Sequence, residues 1–293
     1  MKNIVLAACG IFFGILLIFT VGWDRNGREN AAGPVYYENK AIVLLYHDIR
    51  KTAGASRIDL PSTVTPGQFE GHLEMLKDRG FHIVPMEQFV QFMREGGKLP
   101  PNAVVLTFDD GYESFYTEAL PILKKHGVSA SNFIVGISSD LFNPDADPHL
   151  NWNQIRELRD AGMGIYNHTY DLHRKIPENE TDMMTPALTA RMFLEQKKRS
   201  EIDGEYRKRI RSDIAFLEKR LDDETGKHRR LLAFPYGAYT DAVAVEGRRA
   251  GIELFFSIED GINQPGSEIV RRINAGEPYV TADTLWSMLK KVF

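Results

Sequence analysis

Two short runs, Ala41–Tyr46 (AIVLLY) and Ala103–Phe108 (AVVLTF), are apolar at nearly every position. A strand with one face in water alternates apolar and polar residues. A strand without alternation is buried on both faces, as in a parallel sheet covered by helices. Further β-rich stretches at 81–84, 131–136, 163–167, 231–234, 253–257 and 269–273 alternate with helical patterns. No internal repeat is visible. Serial βα units of this kind predict an α/β fold, either a barrel or an open sheet.

The helices announce their ends. Thr65-Pro66-Gly67-Gln68 is a capping-box pattern with proline at the first helical position, and Phe69, Leu73 and Leu76 follow at helical spacing. Gly80 stops that helix. Residues 115–126 read as a helix kinked or divided at Pro121 and ended by Gly127. Helices are also expected at 151–161 and 241–250. The longest helical stretch is expected from about 186 to 221, with Gly204 as a candidate break and Ile210, Ile214, Leu217 and Leu221 as its inner stripe.

The chain has 293 residues and a formal charge of −4, so its charge balance points neither to nucleic acid nor to another polyanion. Residues 4–21 form an uncharged run rich in Ile, Leu, Phe and Ala behind Lys2. It is long enough to span a bilayer and longer than a usual signal core, and no clear small-residue cleavage site follows it. The expectation is a signal-anchor helix at 1–23 and a flexible tether at 24–40. A catalytic domain at 41–293 would then lie outside the cell on the membrane, with secretion after signal cleavage as the alternative. Cys9 is the only cysteine and sits in the middle of the apolar run, so the exported body has no disulfide framework.

The second apolar run ends in Thr107-Phe108-Asp109-Asp110-Gly111-Tyr112, and His168-Thr169-Tyr170-Asp171-Leu172-His173 follows the strand at 163–167. An Asp-Gly pair alone is an ordinary turn. Its place here changes the reading, because ligands of parallel α/β sheets bind at the carboxyl ends of strands. Adjacent strand residues point to opposite faces, so both acids reach one site only if the chain turns there, as Gly111 permits. Histidines five apart do not share a helix face but can converge from a strand end and a loop. Two imidazoles and one carboxylate form a set that suits catalytic zinc and other divalent metals, with one carboxylate left over.

These motifs resemble the polysaccharide deacetylase family, carbohydrate esterase family four. The resemblance spans roughly residues 41–293 and implies an irregular (β/α) barrel of seven strands. It implies Asp109 as general base, and Asp110, His168 and His173 as ligands to one divalent metal ion. Zinc is the expectation, with cobalt, nickel or iron as alternatives. Phe234-Pro235-Tyr236-Gly237 matches the core of the third family motif, which makes the Tyr236 backbone N–H an oxyanion donor. Leu44-Leu45-Tyr46-His47-Asp48-Ile49, Thr65-Pro66-Gly67-Gln68-Phe69 and Ala233-Phe234-Pro235-Tyr236-Gly237 are similar to a subgroup that deacetylates poly-β-1,6-N-acetylglucosamine, a biofilm exopolysaccharide.

The resemblance therefore implies a metal-dependent hydrolase acting on an extracellular N-acetylglucosamine polymer. Its partners would be the polysaccharide and, through the N-terminal helix, the membrane. Deacetylation of cell-wall peptidoglycan is one alternative, and a catalytically silent carbohydrate-binding domain is another. His47, Asp48, Pro235 and Asn274 are candidate substrate contacts, although a buried structural His47–Asp48 pair is an equal reading. Three features depart from the family pattern. Ala233-Phe234 stands where an arginine often orients the base, Glu259-Asp260-Gly261-Ile262 lacks the later tryptophan, and no histidine follows His228 to act as general acid.

Overall fold

The computed structural model describes residues 34–51, 60–177 and 184–293. Among them, seven parallel strands lie side by side in the order β1 (Ala41–Tyr46), β2 (Ala103–Phe108), β3 (Ser131–Ile134), β4 (Gly164–Asn167), β5 (Leu231–Ala233), β6 (Leu254–Phe256) and β7 (Ile269–Val270). After Arg271 and Arg272 the chain resumes as β8 (Ile273–Asn274), which pairs in parallel with β1. One interrupted segment thus bonds to both edges of the sheet and nearly closes it into a barrel. The expected seven strands correspond to this parallel path. Two short strands, His82–Ile83 and Ile262–Asn263, are added beside β2 and β1.

Continuous apolarity in β1 and β2 has the expected cause. Ile42, Leu44 and Tyr46 face outward with Val104, Leu106 and Phe108 into the core under the helices. Ala41 and Val43 point inward with Ala103, Val105, Phe133, Ala233 and Phe256. Each large side chain buried this way contributes roughly 1.5–3 kcal/mol.

Among the described residues, the helices longer than five residues are α1 (Pro66–Asp78), α2 (Met86–Glu95), α3 (Leu120–His126), α4 (Trp152–Asp160), α5 (Asp203–Thr225), α6 (Asp241–Arg249) and α7 (Ala282–Leu289). Thr65 and Gln68 close the capping box of α1 reciprocally, at 3.1 and 2.9 Å. The helix expected over 115–126 is divided, with a π-helical turn at Phe115–Ala119 before α3 and Gly127 left-handed at its end. Helix α2 was not foreseen, since Pro85 opens it without any side-chain cap. It packs Phe89, Val90 and Met93 into the inner core of the barrel.

Three expectations are corrected. The long helix begins at Asp203, with Gly204 in its first turn, rather than near Pro186. Much of the preceding stretch forms antiparallel pairs, Lys175–Pro177 with Met184–Pro186 and Phe193–Leu194 with Arg199–Ser200. Arg209 stabilises this alternative by donating to the carbonyls of Ala187 and Ala190, at 2.7 and 2.8 Å, and to Glu201. The strand expected at 269–273 is split at Arg271-Arg272.

The third correction concerns the tether, whose last residues are part of the domain. The compact unit is Pro34–Phe293. Tyr37 is buried and donates its hydroxyl to the Ala103 carbonyl at 2.8 Å. Asn102 accepts from the backbone amides of Tyr36 and Tyr37. Among the described residues no helix is long and apolar enough to cross a membrane, and the anchor expected at 1–23 lies outside them.

Candidate active site

Immediately after β2 the chain turns sharply. Asp110 and Gly111 both have left-handed backbones, φ 71° and 77°. A Cβ on Gly111 would also lie 3.2 Å from the Ile134 side chain. Without this double turn, two adjacent carboxylates could not line one cavity. Thr169 (φ 72°) and Tyr236 (φ 58°) are left-handed as well, in the loops after β4 and β5. Such residues cost on the order of 1–3 kcal/mol each and persist where the surroundings over-determine them.

Asp110, His168 and His173 come together as the resemblance implied. Asp110 Oδ1 lies 3.3 Å from His168 Nε2 and 3.2 Å from His173 Nε2. That oxygen is buried and makes no hydrogen bond among the described residues, the condition of an atom placed for a cation. His168 Nδ1 is 2.9 Å from the Ala233 carbonyl, so Nδ1 carries the hydrogen and Nε2 turns toward Asp110. The donor set therefore fits a divalent metal ion.

The electrostatics agree with that reading. Burial opposes ionisation of Asp110, but His168 and His173 hold its carboxyl well below the usual range. Burial also opposes a charge on His168, yet Asp109 and Asp110 raise its pKa overall. Burial, reinforced by His168, pushes His173 down to about 4. A bound cation would displace the proton that His168 otherwise keeps.

Asp109 has a different partner. Its two oxygens accept from Arg272 Nη1 and Nη2, both at 2.7 Å, and Arg272 Nε donates to the Ser257 carbonyl at 2.8 Å. Arg272 is completely buried and lies over Phe133 and Phe256. Burial would raise the Asp109 carboxyl, but Arg272, with His168 and His47, holds it below its ordinary value. The guanidinium missing before Pro235 is thus present, delivered from the interrupted strand between β7 and β8. A double arginine inside an otherwise apolar strand was the available signal.

His47 follows β1 directly and lines the same cavity, and its Nδ1 is buried without a hydrogen-bond partner among the described residues. Asp48 is not with it. Its carboxylate is taken by the Ser114 hydroxyl, at 2.6 Å, and by Arg50, away from the catalytic cavity. The expected substrate contact at Asp48 is therefore replaced by a structural one, because adjacent residues leaving a strand point to opposite sides.

Asn274 lines the cavity, but its side chain bonds Glu277 and the Gly276 amide. Pro235 is buried and, unlike its neighbours Phe234 and Tyr236, does not line the cavity. Around Tyr236, the Gly237 and Ala238 amides bond to the carbonyls of Phe234 and Pro235, and among the described residues no such bond occupies the Tyr236 amide. The Tyr236 ring lies 4.5 Å from that of His173. Gly237 (φ 68°) is required there, since a Cβ would meet Ile258 at 2.3 Å. The cavity holds about 490 Å³, with Pro61, Ser62, Tyr112 and Ile258 on its walls. Its composition suits water activation: a cluster whose donor set fits a cation, an ionised carboxylate and an imidazole nitrogen without a hydrogen-bond partner around one space.

The comparisons point the same way. Residues 96–255, more than half of the chain, match the family model described as polysaccharide deacetylase. The chain is similar to the poly-beta-1,6-N-acetyl-D-glucosamine N-deacetylase of Escherichia coli (strain K12), 29% identical over 235 residues. That match covers 76% of this chain but only 34% of the relative, so the chain spans about a third of that protein's length. It is 27% identical over 242 residues to the protein of the same name from Staphylococcus aureus (strain MSSA476), with 79% of this chain and 77% of that one covered. A solved de-N-acetylase from Aggregatibacter actinomycetemcomitans superposes with a TM-score of 0.77 at 26% identity, covering 85% of this chain and 99% of that one. Fold, site and family model agree, and the chain belongs to the polysaccharide deacetylase family.

Proposed function

We propose that this polysaccharide deacetylase removes N-acetyl groups from extracellular poly-β-1,6-N-acetylglucosamine, in a metal-dependent reaction. The observation that carries the chemistry is the Asp109–Arg272 pair, which keeps a buried carboxylate ionised beside the Asp110–His168–His173 cluster. The choice of polymer is supported by the names of the two curated relatives. The N-terminal run supports display of the domain outside the cell, on a membrane anchor or after signal cleavage.

Asp110, His168 and His173 would hold the divalent metal ion, zinc by expectation. When bound, such an ion polarises the amide oxygen and lowers the pKa of water. Asp109 takes the proton from the attacking water, while Arg272 fixes both of its oxygens and keeps the carboxylate ionised. The Tyr236 amide donates to the oxygen on which charge develops, a contribution of roughly 100- to 1000-fold for one such donor. His47 returns a proton to the departing sugar nitrogen. Its Nδ1, buried in the cavity without a hydrogen-bond partner, supports this role, for which no histidine follows His228.

The test is acetate release from β-1,6-linked N-acetylglucosamine oligomers, chitin oligomers and purified peptidoglycan, with metal analysis of the same sample. Release fastest from the β-1,6-linked oligomers is expected. Preference for peptidoglycan would move the assignment to the cell wall, and no release from any glycan with added zinc or cobalt would favour a binding domain.

A further inference from the structure

The loop between the two histidines is held from outside by helix α5. Three consecutive amides of that loop are each taken by a side-chain oxygen. Asn167 Oδ1 accepts from Thr169 at 2.7 Å, and Asp213 accepts from Tyr170 through Oδ1 and from Asp171 through Oδ2, both at 2.8 Å. The left-handed Thr169 aims these successive N–H groups to one side, the form of an anion-binding nest. Asn167 is itself tied to α5, donating to the Ile214 carbonyl and to Glu218. Phe216, one turn after Asp213, packs edge-on against the Tyr170 ring at 4.5 Å. The loop carbonyls of Thr169 and Tyr170 accept from Gly136 and Ile137.

We infer that Asp213 is a positioning residue for the metal centre: its carboxylate, seated in the nest between His168 and His173, fixes their separation and so sets the affinity for the ion. The inference rests on the reading of Asp110, His168 and His173 as ligands. Asp213 does not line the catalytic cavity, so it acts only through the loop. Without it two amides lose their acceptors, and the backbone linking the ligands loses the contact that determines its path. Groups hydrogen-bonded directly to a ligand typically carry 10- to 100-fold in metal affinity, and an effect of the same order is expected from Asp213, which holds the backbone between two ligands.

The experiment measures zinc affinity, by competition with a chromogenic chelator, for the full chain, Asp213→Ala, Asp213→Asn and Leu217→Ala. Thermal unfolding of each metal-free form is recorded alongside. Leu217 lies on the same helix, buried in the outer core. Asp213→Ala is expected to weaken zinc binding about 10- to 100-fold. Leu217→Ala is expected to lower the unfolding temperature while leaving affinity near that of the wild type. Asp213→Asn keeps the volume and one acceptor oxygen, and carries the same test if the alanine variant does not fold. Wild-type affinity in the Asp213 variants would overturn this inference alone, as would an equal loss in Leu217→Ala. A wild-type chain with no zinc affinity would overturn the ligand assignment, and this inference with it.

Discussion

The two halves of the cavity are built in different ways. The cation cluster is local: Asp110 follows β2, His168 and His173 follow β4, and each stands in a short motif whose turn is set by a left-handed residue. The half proposed to handle protons is assembled across the seam of the barrel. His47 leaves β1 at one edge of the sheet, and Arg272 lies between β7 and β8, where one segment touches both edges. The local half needs its loops in shape. The seam half needs the barrel closed. Perturbing the seam should therefore disable proton transfer while zinc still binds, and perturbing the loops should weaken zinc binding itself.

The largest effect is expected from His47→Gln. Loss of a general acid costs on the order of 100- to 10,000-fold in rate for a poor leaving group such as a sugar amine. An aryl acetate expels a phenolate that needs no proton, so its hydrolysis should fall far less, with zinc content unchanged. Equal losses on both substrates would mean that His47 binds or supports rather than donates.

Arg272→Met comes next and breaks the seam pair itself. Removing one partner of a buried ion pair costs about 3–5 kcal/mol, because the other charge is left uncompensated. Urea unfolding should show that loss, and the metal-free fold should still take up one zinc per chain where it remains folded. An unfolding free energy within error of the wild type would refute the structural role of the pair.

A smaller effect is expected from the support behind β1. His72 is completely buried, its Nδ1 accepts from the Tyr46 hydroxyl at 3.0 Å, and its Nε2–H donates to the Val280 carbonyl at 2.9 Å. Burial pushes its pKa down to about 4 from an ordinary 6.5. The folded state thus binds the proton less readily than the unfolded chain. This contribution to stability is complete above pH 6.5 and is lost as pH falls through 4, up to about 3 kcal/mol. Unfolding free energies for the wild type and His72→Gln should converge as pH is lowered from 7 to 4.5, and a constant difference would contradict the assignment.

The same contrast explains what could be read from the chain alone. Continuous apolarity in 41–46 and 103–108 reports burial on two faces, which is a local property, and the Thr65–Gln68 box and the Asp109-Asp110-Gly111 turn are local too. The Asp109–Arg272 pair spans 163 positions, and nothing near Arg272 says which acid it meets. Neither could the order His47-Asp48 say which of the two enters the cavity, since that depends on where β1 ends. Residues 186–202 carry many helix formers, but Arg209 satisfies the loop carbonyls from outside, and tertiary bonding overrides propensity. Helix α2 has no side-chain N-cap to announce its start, only Gly96 at its end, and is held by its packing inside the barrel.

The central claim is that one of two adjacent carboxylates handles protons while the other binds the ion. Asp109→Asn tests it most directly, with acetate release from β-1,6-linked N-acetylglucosamine oligomers and bound zinc measured on the same preparation. The expected result is a rate lower by about 100- to 10,000-fold with one zinc per chain retained. Activity close to the wild type, or loss of the zinc together with the activity, would contradict it.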